Sequence, residues 1–354
     1  MNLPEDNPEA QSREMDTAFV LDLFRQAEAL GCMVVRFTGG EPLLRSDLPE
    51  LYIATRKLGM QVILFTNARL ITPDFAQLLA SFPPGRVVEV SVYGMHPASY
   101  DAVAGVKGAY EEFRRGVDLL LEYRIPFIVK QALLPPNRYE IEEFEAWAAT
   151  LPAMDQGPGY SMNFDLRARR DDLDKNRSIA ALRISPYETV ALLAKNPKYV
   201  FGMQEFCSKF MRPSGDAIFS CGAGHGICVD AYGNAQMCLS LRHPSYVYDL
   251  HKGTLREALT EVFPRFRERK ATNPDYLQRC AVCFLKGLCE QCPAKSWMEH
   301  GTLDTPVEYL CGVAHAQARY LGLIGESERA WEVTSGRERV ERFAAETQND
   351  LNRM

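Results

Sequence analysis

Along the first half of the chain, hydrophobic positions alternate between two periods. Phe19, Leu21, Leu23, Phe24, Ala27 and Leu30 recur at helical spacing, with Asp16 as a start signal and Gly31 as a stop, so a helix is expected over 17–30. The run 33–37 has the β-rich composition of a strand and ends on the turn Thr38-Gly39-Gly40-Glu41-Pro42. Helices over 48–58, 73–79, 109–123 and 141–150 then alternate with strands over 61–65, 87–92, 126–131 and 160–166. Repeated β/α units with continuous apolar strands predict an α/β fold with a parallel sheet, whose functional residues lie at the C-terminal ends of the strands.

The pattern changes after Arg170. Residues 171–177 read as a charged, exposed connection, and Ser185 and Pro186 open a helix that runs to 195. From Gln204 the chain becomes rich in Cys and Gly, with short strands expected over 227–231 and 235–237 around Tyr232-Gly233-Asn234. A helix over 314–321 and a charged helical tail over 326–354 complete the chain, while 1–14 reads as a loop. The expected partition is 1–175 for the α/β part, 176–205 for a linking helical region, 206–321 for a cysteine-rich domain and 322–354 for the tail.

A length of 354 residues fits two domains, each able to bury its own core. With 46% hydrophobic residues, 24% charged residues and a formal charge of -6, the chain has no general attraction for nucleic acid or anionic membranes. Neither a membrane-spanning apolar run nor a secretory signal is visible, so a cytoplasmic location is expected. In that reducing compartment clustered cysteines are ligands rather than disulfides.

Nine of the ten cysteines fall between positions 207 and 311. Cys280-x2-Cys283-x5-Cys289-x2-Cys292, followed by Cys311, has the short intervals that let a turn wrap several sulfurs round a cationic centre. A second group, Cys207, Cys221, Cys228 and Cys238, stands just upstream. Cys228 lies in an expected strand and reads as core. In the α/β part, the Gly39-Gly40-Glu41-Pro42 turn lets backbone approach a ligand closely, and a carboxylate beside exposed carbonyls suits an ammonium group. His96 reads as a surface-loop histidine with a cavity-facing position as the alternative, and Lys130 and Arg167 read equally as cations for an anionic group or as structural ion pairs.

Together these motifs resemble the radical S-adenosylmethionine (SAM) enzymes that carry a C-terminal SPASM domain, over about residues 17–321. The resemblance implies a TIM-like partial (β/α)6 barrel in which Gly39, Gly40, Glu41 and Pro42 engage the methionine ammonium of SAM. Asn67, in Phe65-Thr66-Asn67, and Ser91 match strand-end positions that face SAM. Cys221 followed by Gly233-x4-Cys238 is similar to the opening of a SPASM domain, with eleven residues between Cys221 and Gly233. Two residues separate Cys289 from Cys292 where the family has three, although Cys292-Pro293-Ala294 keeps the family context. By resemblance, one auxiliary four-iron, four-sulfur cluster takes Cys280, Cys283, Cys289 and Cys311, and the other takes Cys221, Cys238 and Cys292 with Cys207 as candidate fourth ligand.

The family holds its SAM-binding cluster on Cys-x3-Cys-x2-Cys after a first strand, and neither that motif nor that strand occurs in this sequence. The expectation is a chain shortened at its start, with natural loss of SAM cleavage as the rival; a third cluster is expected only with the missing segment. The implied activity is reductive SAM cleavage and hydrogen abstraction from a peptide or protein substrate, fed by a reductant such as flavodoxin or ferredoxin. The chain as it stands is expected to be inactive in that reaction. A non-catalytic iron-sulfur protein that binds a peptide or passes electrons is the alternative, and a structural zinc module is a third.

Overall fold

The computed structural model describes residues 8–161, 165–210 and 213–351. Residues 1–7 of the expected leading loop, 162–164 of the expected strand over 160–166 and 352–354 of the tail lie outside the described residues. Two compact units result. The first holds the described residues up to 161 with Val229–Ala235 and Tyr248–Ala258; the second holds Asp165–Cys228, Gln236–Val247 and the described residues from Leu259 onward.

The first unit is built on five parallel strands: β1 (Val34–Phe37), β2 (Gln61–Thr66), β3 (Gly85–Val92), β4 (Phe127–Ala132) and β5 (Gly159–Ser161). Their spatial order follows the sequence, as in a partial barrel wound by successive β/α units. Helix Thr17–Ala29 starts where Asp16 accepts a hydrogen bond from Phe19 N at 2.8 Å and ends before Gly31, whose φ of 80° suits glycine. Crossover helices Leu48–Lys57, Pro73–Ser81, Ala109–Glu122 and Ile141–Ala148 appear where the periodicity puts them.

One sheet face is sealed and the other is not. Val62, Leu64, Val88, Val90, Val92, Phe127 and Val129 point into the helices and pack with Tyr100, Phe113, Leu120 and Phe144. Each such fully buried side chain contributes roughly 1.5–3 kcal/mol. The alternate residues Ile63, Phe65, Glu89, Ser91 and Ile128 stay half-buried on the opposite face, beside exposed Lys130. That face and the strand C-terminal ends hold the candidate SAM positions.

The structure departs from the sequence expectations at several elements. A five-residue helix, Pro8–Ser12, interrupts the expected leading loop. Helix Pro97–Ala104 fills a stretch with no predicted element; it ends at Gly105 in the left-handed region. Residues expected to form a charged connection instead form helix Leu173–Ala181, because Asp172 caps it by accepting from Lys175 N and Ile179 is buried. Helix Pro197–Phe210 runs past the linking helical region expected over 176–205 and carries Cys207. The tail helix, Gly336–Leu351, begins ten residues later than expected.

The second unit is mainly helical, with Pro186–Leu193, Pro293–His300 and Glu308–Tyr320 adding to those just named. Its core joins Met203, Phe284, Leu285, Leu288, Ala314, Ala318 and Val340. Three short strands, β6 (Cys228–Val229), β7 (Asn234–Gln236) and β8 (Val247–Asp249), most of whose residues belong to the first unit, form a second sheet in that order. In the intervening turn Gly233 has φ 76°, and a Cβ there would meet the His251 ring at 2.5 Å, so the position requires glycine twice over. No described helix is long and apolar enough to cross a membrane.

Candidate functional sites: a strand-end turn and a four-cysteine cavity

At the end of β1 the chain turns through Gly39 at φ 137°, a conformation open to glycine. Glu41 then caps the short turn Pro42–Leu44 and reaches the end of β2. Its Oε1 accepts from Leu43 N at 3.2 Å and Thr66 Oγ1 at 2.8 Å, and its Oε2 accepts from Asn67 N at 2.8 Å. At least three acceptor positions of this carboxylate thus serve the fold. Asn67 Oδ1 accepts from Arg69 N at 3.0 Å, shaping the loop that follows β2. The structure brings Gly39 to Pro42 and Asn67 together, while Ser91 lies on the open face of β3 in register with Lys130.

The clamp was not visible in sequence, because Glu41 and Asn67 meet only when β1 and β2 pair. It predicts a structural cost: Glu41→Ala leaves two backbone N–H groups and a hydroxyl without their charged acceptor, lowering stability by about 3 kcal/mol. Urea unfolding measures this, and Glu41→Gln, which keeps an acceptor oxygen, costs less. The three basic or histidine candidates behave as paired surface groups. Lys130 pairs with Glu89, Arg167 with Asp171 at 2.7 Å, and His96 with Glu143 at 2.8 Å.

In the second unit one cavity is lined by Cys280, Cys283, Cys289 and Cys311 together, the set that the family resemblance groups. The turn Tyr276–Cys280 presents the first, and Cys283 starts the short turn Phe284–Gly287, its N–H bonded to Arg279 O at 3.0 Å. Cys311 sits in the first turn of Glu308–Tyr320, a helix that starts earlier than the expected 314. Buried Gln291 fixes its approach: Nε2 donates to Ser296 Oγ at 2.7 Å and Oε1 accepts from Val307 N at 2.9 Å.

Burial holds these thiols protonated. It pushes Cys280 and Cys289 up to about 12 and Cys283 to about 11, and raises Cys311 as well. Arg279 and Lys286 in the lining offset part of that burial, and four thiols gathered in one cavity ionise readily once a cationic centre binds, so the donor set fits a metal cluster. Among the described residues no three His, Cys, Asp or Glu side chains converge on a single ion. Thiolates on separate irons of a cluster have no need to.

The other cysteines are less tightly gathered. Cys292 caps helix Pro293–His300; its thiol is raised by burial, and the nearby Cys238 adds to the shift. A Gly224 N to Met237 O bond of 3.0 Å lays the Cys221–Gly224 turn beside Cys238, and Arg267 Nη1 donates to Cys221 O at 3.0 Å. Cys221 is exposed and Cys238 is half-buried. Cys207 is fully buried in the apolar cluster of Met203, Phe284 and Leu288, against which Cys283 and Cys289 also pack. Burial pushes its thiol to about 12. Half-buried Cys228 lies in β6. Arg279, His315 and Trp331 also line the four-cysteine cavity, and no sequence motif pointed to them.

Residues 4–150 match the model of the Radical SAM superfamily. The AdoMet-dependent heme synthase of Methanosarcina barkeri is 26% identical over 310 residues, 81% of this chain and 85% of that protein. The PqqA peptide cyclase of Xanthomonas axonopodis pv. citri is 34% identical over 125 residues, 35% of this chain and 33% of the cyclase. The heme synthase of Nitratidesulfovibrio vulgaris is 32% identical over 114 residues; the match spans about a third of its length, at 31%. Among solved structures, native anSMEcpe with bound AdoMet aligns with a TM-score of 0.62 at 13% identity, over 95% of this chain and 91% of its own. Streptococcus suis SuiB bound to S-adenosylmethionine aligns with a TM-score of 0.53 at 14% identity, over 79% of this chain and 66% of its own. At those identities the likeness to the solved structures is one of fold.

Proposed function

We propose that this chain has the architecture of a radical SAM enzyme of the SPASM type whose substrate is a peptide or protein. The observation that carries the reading is the cavity shared by Cys280, Cys283, Cys289 and Cys311 in a chain whose first 150 residues match the radical SAM model. These four thiolates hold one auxiliary four-iron, four-sulfur cluster. Cys221, Cys238 and Cys292 hold a second, with Cys207 as candidate fourth ligand or its iron left open. When bound, SAM and the clusters supply the one-electron chemistry that starts hydrogen abstraction.

The chain's own residues position these groups. Gly39 and Gly40 offer backbone to the SAM ammonium, Glu41 holds that turn against Asn67, and Ser91 presents a hydroxyl from the open sheet face. No Cys-x3-Cys-x2-Cys occurs in the 354 residues, so the proposal assigns SAM cleavage only to a form that carries that loop. A flavodoxin or ferredoxin is the expected reductant, in the cytoplasm. The peptide cyclase relative supports a peptide substrate. The match along 81% of the chain to a heme synthase supports a second reading, a tetrapyrrole substrate for the same machinery.

Metal analysis tests the proposal. The anaerobically reconstituted chain holds about eight irons and eight acid-labile sulfides. No more than four irons after complete reconstitution removes one cluster, and zinc without sulfide replaces the reading with a structural zinc module.

A further inference from the structure

The ring of His315 is fixed in one tautomer, and that tautomer aims a donor at a candidate cluster ligand. Its Nε2 accepts from the buried backbone N–H of Ala330 at 3.2 Å, which places the ring proton on Nδ1. Nδ1 lies 2.8 Å from the Cys311 carbonyl oxygen and 3.5 Å from the Cys311 sulfur, one helical turn away. The ring is 7% exposed and meets Trp331 edge-on, with centroids 5.2 Å apart, so it has no room to turn away. Arg279, paired with Glu308 at 2.7 Å and stacked 4.6 Å from the Trp331 centroid, brings Nη2 to 3.9 Å from the same sulfur.

The other ligands are served differently. Cys283 and Cys289 receive hydrogen bonds from the backbone, at Leu285 and Gln291. Those donors are common to any side chain at their positions, whereas the donors to Cys311 are side chains.

We propose that His315 is a positioning residue that raises the reduction potential of the cluster on Cys280, Cys283, Cys289 and Cys311 through a three-centre hydrogen bond, its Nδ1–H shared between the Cys311 carbonyl oxygen and the Cys311 sulfur. The inference rests on the cluster assignment made above. A hydrogen bond to a ligating thiolate draws electron density from the iron and favours the reduced, more negative state. Ala330 and Trp331 lie in the segment that the sequence reading assigned to the tail, and they lock the ring in place.

The test is a redox titration of anaerobically reconstituted protein followed by electron paramagnetic resonance, with iron and sulfide counted in each sample. His315→Phe keeps the ring contact with Trp331 but removes the donor. The expected result is complete iron, one cluster shifted to lower potential and the other unmoved. His315→Gln, whose amide donates, falls between that variant and the natural protein. If His315→Phe fails to fold, His315→Met carries the same expectation. Complete iron with both potentials unchanged in a donor-free variant overturns this inference alone. A natural chain that takes up no cluster at these four cysteines overturns the proposed function together with it.

Discussion

Cys283→Ala is expected to lose about half the iron and half the labile sulfide of the reconstituted protein, and to loosen the second unit. Cys283 starts the turn Phe284–Gly287 and packs against the core of Met203, Leu285, Leu288 and Ala318, so the residue proposed as a cluster ligand also anchors the loop to the helices. Folding of a metal-wrapped loop is coupled to binding. The loss therefore exceeds that of one side chain: thermal unfolding of the variant begins at lower temperature and resembles that of the iron-free protein. Cys228→Ala, at a half-buried β6 position, keeps both clusters. Halved iron in Cys228→Ala, or full iron in Cys283→Ala, would place the ligands elsewhere.

What could be read from sequence was what the chain encodes locally. Asp16 and Ser185 announced their helices, because an N-cap acts on backbone only three residues away: Phe19 N and Glu188 N. The β/α alternation was equally local, and it led directly to the parallel sheet. Helix Leu173–Ala181 was hidden because its surface charges conceal one apolar contact, and Pro97–Ala104 because its apolar positions show little helical periodicity. The short spacings pointed to Cys280, Cys283, Cys289 and Cys292 with Cys311 as one group, and only family resemblance set Cys292 apart. Their neighbours were not legible. Arg279 meets Cys311 only through the folded loop, and Trp331 arrives from the segment beyond the cysteine-rich part. His315 is the instructive case. It stands four residues after Cys311, a helical neighbour by spacing, but the shorter helix expected over 314–321 left Cys311 outside it.

The formation of 5'-deoxyadenosine from SAM under dithionite tests the account most directly. The barrel retains the Gly39–Pro42 turn clamped to Asn67, and the ten cysteines include none in a Cys-x3-Cys-x2-Cys pattern. Cys32, which lies between helix Thr17–Ala29 and β1, is solitary in sequence. The 354-residue chain, loaded with both auxiliary clusters, is therefore expected to form no 5'-deoxyadenosine. A longer chain in which a strand and a Cys-x3-Cys-x2-Cys loop precede Met1 is expected to form it, and Glu41→Ala in that chain to weaken SAM binding. Cleavage by the 354-residue chain, or none by the longer chain with all its clusters in place, would contradict the account.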